Sequence, residues 1–292
     1  MTSDVRRALR TSVELGPITD SDVPAVAEFL RANHNARVPW AAACSEVPWQ
    51  VEAPNHGFML RDGDRVVGTL LALYSERRFA GRVERFCNLG SWCVLPEYRS
   101  RSMSLVQALL AQDGYHVTVL SPDHGPREIL HWMGFRSLDT SAALIPNLPW
   151  PTLPSRYRTS SAPEVIARTL AGAELALYRD HRRALAVHHL VLTRGEDSCY
   201  VMYRIVRYHG VPVFALILHI SDRELFHRAL MPLTRRLLVR HGVVATLAER
   251  RVVGDEPRLA FRLRNWPKMY RSPTLQDEQI DYLYSELTCV PW

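Results

Sequence analysis

Hydrophobic and polar positions along the chain switch between a period of two and a period near 3.6 several times, which predicts short strands and helices in alternation. Residues 13–18 read as a strand. Thr19 and Asp22 are spaced as a capping box, and Val23, Val26, Ala27, Phe29 and Leu30 after them form one face of a helix. Residues 39–50, with Trp40 and Trp49, read as a short helical or irregular piece. Residues 57–61 and 65–74 flank Asp62-Gly63-Asp64, a hairpin signal. A charged loop is expected at 76–82, leading into a strand that runs to Val94 with an apolar stretch from Cys87. Pro96 ends ladder pairing because it has no N–H to donate. The basic turn Glu97-Tyr98-Arg99-Ser100-Arg101 then enters a helix with Leu105, Val106, Leu109 and Leu110 on one face, closed at Gly114. A strand at 115–120 and a helix at 126–133, closed by Gly134-Phe135, follow.

The proline-rich stretch 147–154 can continue neither a ladder nor a helix, so it divides the chain into domains at 1–150 and 151–292. Beyond it a helix is expected at 163–179, with strands at 187–192, 199–208 and 211–220. Ser221-Asp222-Arg223-Glu224 is a capping signal for a long helix that ends at Arg240-His241-Gly242 and is kinked or restarted at Pro232. Strands at 243–248 and 259–263 follow, and Ser272-Pro273-Thr274 precedes a final helix through Leu287. The second half repeats the order of the first: strands, a capped helix, a return strand. The expected class is α/β (α+β), a mixed and mostly antiparallel sheet flanked by helices, with a second domain of similar layout.

Composition narrows the picture little. The 292 residues are 47% hydrophobic, with no apolar run of the ~18 residues needed to span a bilayer. The first residues lack the apolar centre of a signal peptide, and five cysteines without a CxxC pair fit a reducing compartment, so a cytoplasmic location is expected. The net charge is +6, yet the basic residues are dispersed arginines and Lys268 is the sole lysine, which argues against nucleic acid as the partner. Twelve histidines form neither HExxH nor a Cys/His zinc spacing, so no metal is expected.

Chemistry enters at the strand–turn–helix unit of residues 87–114. A helix N-terminus after a basic turn suits a phosphate or diphosphate. Val94-Leu95-Pro96-Glu97-Tyr98-Arg99 followed by Ser100-Arg101-Ser102-Met103-Ser104 resembles motif A of the GNAT acyltransferase superfamily. The arginine of that motif is matched, and both of its glycines are replaced by serine, at 102 and 104. Residues 123–135, DHGPREILHWMGF, resemble the family's closing helix, with Asp123 in place of the usual asparagine. This resemblance implies a GNAT-like fold and an acyl-CoA co-substrate, acetyl-CoA or another. Cys93, Val94 and Leu95 would face the pantetheine, and the backbone of Arg99, Ser100, Arg101, Ser102, Met103 and Ser104 would hold the diphosphate. Asn88 and Ser91 would lie where acyl group and acceptor meet, with Gly90 permitting a bulge.

Acyl transfer from a thioester needs a base for the acceptor and a proton for the departing thiolate. The family's acid is a tyrosine, and alignment on Gly134 puts Leu130 at its position. Either the thiolate, with a pKa near ~8.5, leaves unaided, or Ser121 or His131 substitutes. Glu84 and His116 are the candidate bases. Cys87 and Cys93 read as small buried hydrophobes rather than nucleophiles. The expected activity is transfer of an acyl group, acetyl first, to an amine or hydroxyl of a small molecule, with the second domain shaping the acceptor site or serving dimerisation. Two other functions fit the pattern: a Fem-type transferase using aminoacyl-tRNA, and a non-catalytic GNAT fold that binds a ligand or partner.

Overall fold

The computed structural model describes residues 13–79, 81–122, 126–149, 156–255, 257 and 260–292. The chain forms two compact units, the first of residues up to 120 together with 271–273, the second of 121–270 with 274–292. The division thus falls upstream of the proline-rich stretch. Asp123 and residues 150–155 lie outside the described residues.

In the first unit, β1 (Glu14–Pro17), β2 (Gly57–Asp62), β3 (Arg65–Phe79), β4 (Arg82–Val94) and β5 (Tyr115–Val119) lie side by side in that order. The first four are antiparallel and β5 runs parallel to β4. A short turn of 3-10 helix leads into α1 (Val23–Asn33), and the expected Thr19–Asp22 box is formed, with the Thr19 hydroxyl 2.6 Å from Asp22. α2 (Trp40–Ser45) is the Trp-bearing piece, and Trp49 donates its indole N–H to the Tyr74 carbonyl at 2.8 Å, which makes it core. α3 (Ser102–Leu110) buries Leu105, Val106 and Leu109. The charged stretch 76–82 is ladder through Phe79 rather than loop. Glu76 faces Arg85 and Arg77 faces Glu84, so opposite charges pair across strands and the hairpin extends to its tip.

The second unit opens with α4 (Pro126–Trp132), β6 (Arg136–Ser137) and β7 (Ser141–Pro146). It continues through β8 (Arg158–Ser160), α5 (Pro163–Thr169), α6 (Gly172–His181), β9 (His188–Arg194), β10 (Asp197–Tyr208) and β11 (Val211–Ile220). Then come α7 (Arg223–Arg228), α8 (Leu230–His241), β12 (Ala245–Glu249), α9 (Arg250–Val253), β13 (Phe261–Arg264), β14 (Met269–Arg271) and α10 (Glu286–Cys289). Its sheet has the order β13-β7-β12-β11-β10-β9-β8, and β12 runs parallel to β11. The succession β9, β10, β11, helix, parallel β12 repeats that of β2, β3, β4, helix, parallel β5.

Two helical expectations change here, and the break expected near Pro232 is present. The helix foreseen at 163–179 is broken into α5 and α6 because Leu170 is extended and Gly172 has φ +53°. The 221–241 helix breaks at Ala229, as proline at 232 requires, since its ring clashes with the carbonyl four residues earlier. The single final helix expected to run through Leu287 is absent. Gln276, Ile280 and Ser285 are extended and Tyr284 takes φ +55°, so the stretch is interrupted and only residues 277–279 and 286–289 coil.

The sole lysine of the chain is inside. Lys268 is 2% exposed and Glu249 0%, and the Glu249 carboxylate accepts from the Lys268 ammonium, the Asn265 amide and the Tyr282 hydroxyl. Desolvation lowers the lysine pKa, and the Glu249 charge opposes that fall. Removing one member leaves the other charge buried and unpaired, which costs about 3–5 kcal/mol. Lys268→Ala is therefore expected to lose about that much in urea unfolding, and the pair Glu249→Gln/Lys268→Met to recover a large part of it. A loss under about 1 kcal/mol for the single variant would contradict this.

Candidate functional site

The site begins where β4 leaves β5. Arg85, Phe86, Cys87 and Asn88 pair in parallel with Tyr115, His116, Val117 and Thr118, and pairing stops there. β4 continues to Val94 on its β3 side, and residues 89–94 have no register partner on the β5 side among the described residues, which is a gap in the pairing. Asn88 pins the last paired rung: its amide donates to the Thr118 hydroxyl at 3.0 Å, and both residues are buried.

The β3 ladder is irregular at the same place. Gly90 faces Leu71 and Cys93 faces Thr69, so Ser91 and Trp92 together oppose Leu70, which is a bulge. The expected bulge former, Gly90, keeps φ outside the left-handed region, and Ser91 adopts it at +51°. That conformation is strained for a residue with a Cβ. The Ser91 hydroxyl is buried and has no hydrogen-bond partner among the described residues. Cys93, half-buried, points its sulfur to the Asn33 carbonyl at 3.8 Å, and burial raises its pKa, so it is held as a thiol. Cys87 is fully buried and its thiol is likewise raised by desolvation, which leaves neither cysteine as a nucleophile.

The basic turn is more helical than a glycine loop would be. Residues Pro96–Arg101 form a 3-10 helix that runs directly into α3. The Tyr98 amide donates to the Leu95 carbonyl at 2.9 Å and the Ser102 amide to the Arg99 carbonyl. The Ser104 hydroxyl donates to the Arg101 carbonyl at 2.7 Å. Serines at 102 and 104 keep negative φ, so the chain coils instead of opening, and part of the amide set turns into its own ladder. Exposed beyond it are the side chains of Arg99, Ser100 and Arg101, with Ser102, Met103 and Ser104 half-buried. The Tyr98 hydroxyl donates to Asp62 at 2.6 Å and ties the turn to the β2–β3 hairpin. The Leu95 amide donates to the Val67 carbonyl at 3.0 Å, which fixes where the strand hands over.

Glu84 and His116 meet. His116 is 5% exposed; its Nε2 is 3.0 Å from a Glu84 carboxylate oxygen, and its Nδ1 is 2.8 Å from the Ser272 hydroxyl. The carboxylate oxygen is the acceptor of the first pair, and the Ser272 hydroxyl can donate or accept in the second. The result is a hydrogen-bonded relay of serine, histidine and glutamate. Ser272, 156 positions from His116, has no local sequence signal and was not among the expected residues. The relay is at the paired end of β4 and β5. Glu84 precedes Asn88 by four residues, roughly 13 Å of strand, so its carboxylate does not touch the gap. Ser121 belongs to the second unit and donates to Glu286 at 3.0 Å. His131 has both ring nitrogens engaged, with the Phe135 carbonyl and the Ser137 hydroxyl, each at 3.1 Å. Leu130, at the tyrosine position of the family pattern, is 1% exposed.

The corresponding turn of the second unit carries an acid. Asp222 caps α7 by accepting from the Leu225 amide at 2.8 Å, so its carboxylate stands where a phosphate would have to sit. Ser221 accepts from the Tyr200 amide at 2.8 Å instead of capping the helix.

Among solved structures, the chain is similar to a GCN5-related N-acetyltransferase from Kribbella flavida, at 15% identity and a TM-score of 0.58 over 90% of this chain and 72% of that one. It is also similar to one from Anabaena variabilis, at 10% identity and 0.57 over 89% and 72%. A probable N-acyltransferase from Enterococcus faecalis matches at 15% and 0.58 over 89% and 73%. No protein-family model and no curated protein matches the sequence. The fold is that of the GCN5-related N-acetyltransferases, the expected GNAT layout, and the matched span extends over both units. 

The bulge generates a stability test. Glycine adopts φ +51° without the roughly 1–2 kcal/mol cost that a Cβ brings. Ser91→Gly is expected to stabilise the chain by about 1 kcal/mol and Ser91→Val to destabilise it, both read from urea midpoints. Equal midpoints for all three proteins would mean that the strand relaxes away from the bulge.

Proposed function

We propose that the chain is an acyltransferase that takes its acyl group from a coenzyme A thioester, acetyl-CoA first, and passes it to an amine or hydroxyl of a small molecule. The observation that carries this reading is the gap after Asn88 with its bulge at Ser91, on a GNAT fold. Such a gap gives an extended pantetheine arm free edge groups to pair with, from Leu89 toward Cys93, Val94 and Leu95. The thioester carbonyl then lies near Asn88 and Ser91, where the unpartnered Ser91 hydroxyl is a donor for a developing oxyanion.

At the diphosphate, the coiled turn shifts the burden from main chain to side chain. Arg99 and Arg101 are exposed beside the helix start, and guanidinium–phosphate contacts are charge-assisted. The relay of Ser272, His116 and Glu84 stands roughly 13 Å of strand from the gap, so it takes the recipient's proton only along a chain of waters and not by direct contact. The thiolate leaves without a dedicated acid, consistent with Leu130 at the tyrosine position. Ser121 has its hydroxyl committed to Glu286 and takes no part.

A second reading is favoured by one observation, the helical closure of residues 96–104: a GNAT fold that binds a ligand or partner without catalysis. A thermal-shift panel with CoA, acetyl-CoA and longer acyl-CoAs separates the two. A thioester at ~100 times its Kd should add about 2.7 kcal/mol of apparent stability. Arg99→Ala/Arg101→Ala is expected to cost about 1.5–3 kcal/mol of that binding and to reduce its salt dependence. Ser102→Gly/Ser104→Gly is expected to tighten it by freeing amides. No shift with any thioester, in the native chain or the glycine variant, leaves the non-catalytic reading.

A further inference from the structure

The second unit contains a basic cleft that the acyltransferase reading does not use. It has a volume of about 240 Å³ and is lined by Arg182, His188, Tyr203, Arg240 and His241, with Ser161 at its rim. β9 supplies His188, its β10 register partner is Tyr203, and His241 closes α8. The two imidazoles lie 4.8 Å apart between ring centres, and the Tyr203 ring is 5.4 Å from His188. Nε2 of His241 is 3.0 Å from the Tyr203 hydroxyl, while His188 has no hydrogen-bond partner among the described residues.

The charges around this cleft have one sign. Desolvation lowers the pKa of His188, and Arg207 and Arg240 lower it further. His241 is brought down to about 4 by desolvation first, then by His188, Arg240, Arg207 and Arg236. The packed elements contribute four acids, and none of them lines the cleft; Asp197, the first residue of β10, lines a separate pocket with Arg158 and Arg194. Glu164 of α5 is exposed and acts on Tyr178, Glu174 of α6 pairs with His219 at 3.0 Å, and Asp180 accepts from Tyr284 at 2.7 Å. His189 is satisfied by the Tyr200 hydroxyl and the His181 carbonyl. Arg168 of α5 donates to the Glu164 carbonyl, Arg236 is engaged with Thr159 and Ser161, and Arg207 with the Gly210 carbonyl. Arg158, Arg179, Arg183 and Arg235, on β8, α6, the turn after it and α8, add only further positive charge.

We propose that this cleft binds a small oxyanion, phosphate or the phosphate of a monoester, between Arg182, Arg240, His188 and His241. A concavity of this size, two arginines of uncommitted charge and a histidine pair without a carboxylate match such a ligand in size and sign. The same field opposes a metal cation. Bound anion supplies the negative charge that the two imidazoles lack, so they take up protons on binding. Affinity therefore rises as pH falls.

Sulfate is the probe, because its charge is constant across the range, with inorganic phosphate as the second arm; both are titrated by calorimetry against sodium chloride of matched ionic strength. The dissociation constant for sulfate is expected to fall between about pH 8 and 5.5, by up to about tenfold per pH unit for each proton taken up. Arg240→Gln should weaken binding at both ends of the range and leave the slope. His188→Gln/His241→Gln should flatten the slope, and His188→Gln alone, which breaks no hydrogen bond, should halve it if the double variant does not fold. Absence of sulfate and phosphate heat at every pH, or an unchanged slope in the histidine variants, overturns the proposal. Neither result bears on the acyl-CoA panel, since the cleft lies wholly in the second unit.

Discussion

Two parallel strands that cease to pair set the terms for everything else in the first unit. Pairing between β4 and β5 ends at Asn88 and Thr118, whose side-chain hydrogen bond fixes the point of departure. Beyond it β4 must still satisfy its β3 side, and the bulge at Ser91 and Trp92 lets it do so while turning away. The unpaired N–H and C=O groups of residues 89–94 would be a liability at a sheet edge, because such groups seek partners. On this reading they are kept for a ligand. An extended arm with amide groups of its own is the chemistry that answers a row of alternating donors and acceptors.

Ser91 is where the strain of that arrangement collects. A left-handed φ and a buried hydroxyl without a protein partner occur together in one residue, beside the last paired rung. Each is unfavourable in a folded chain. Their coincidence is accounted for if the hydroxyl gains its hydrogen bond only when a reacting carbonyl is present. The strain then keeps the donor aimed before the ligand arrives, as preorganised stabilisation of charge requires. The serines at 102 and 104 illustrate the opposite economy. They keep negative φ, so the turn coils, and an anion held there, on the reading proposed above, would depend on exposed arginines instead.

Much of this was legible in the sequence, and the failures have physical causes. Hairpin residues at 62–64, the Thr19–Asp22 box and the strand–turn–helix at 87–110 are local signals, and they hold. The strand β7 was missed because its run of Ala142, Ala143, Leu144 and Ile145 has no alternation, as befits a strand buried between β12 and β13. The stretch after Thr274 reads as a helix, yet Ile280 and Ser285 are extended and Tyr284 is left-handed, so no single helix runs through it. Gly90 attracted the bulge assignment by residue type, while register placed it one residue later. The hydrogen-bonded cluster at His116 was half visible: Glu84 and His116 stand out as titratable residues, and Ser272 reaches them only through the tertiary path of the chain.

The repeated layout of the two units makes their differences informative. Both have an antiparallel run, a bulge near the end of the strand before the helix, and a parallel return strand. In β11 the irregularity falls opposite Met202 and Tyr203, close behind the last rung shared with β12. The turn that follows carries an arginine-rich 3-10 helix in the first unit and a capping aspartate in the second. A carboxylate bonded to the first amides of a helix uses the same donors that a phosphate would, and repels the phosphate as well. One substitution of charge thus closes the equivalent position in the second unit without altering the fold. The positive potential of that unit is displaced to the far end of α8, where Arg240 and His241 face β9 and not the turn. The two units share a layout and differ in where a few charges stand.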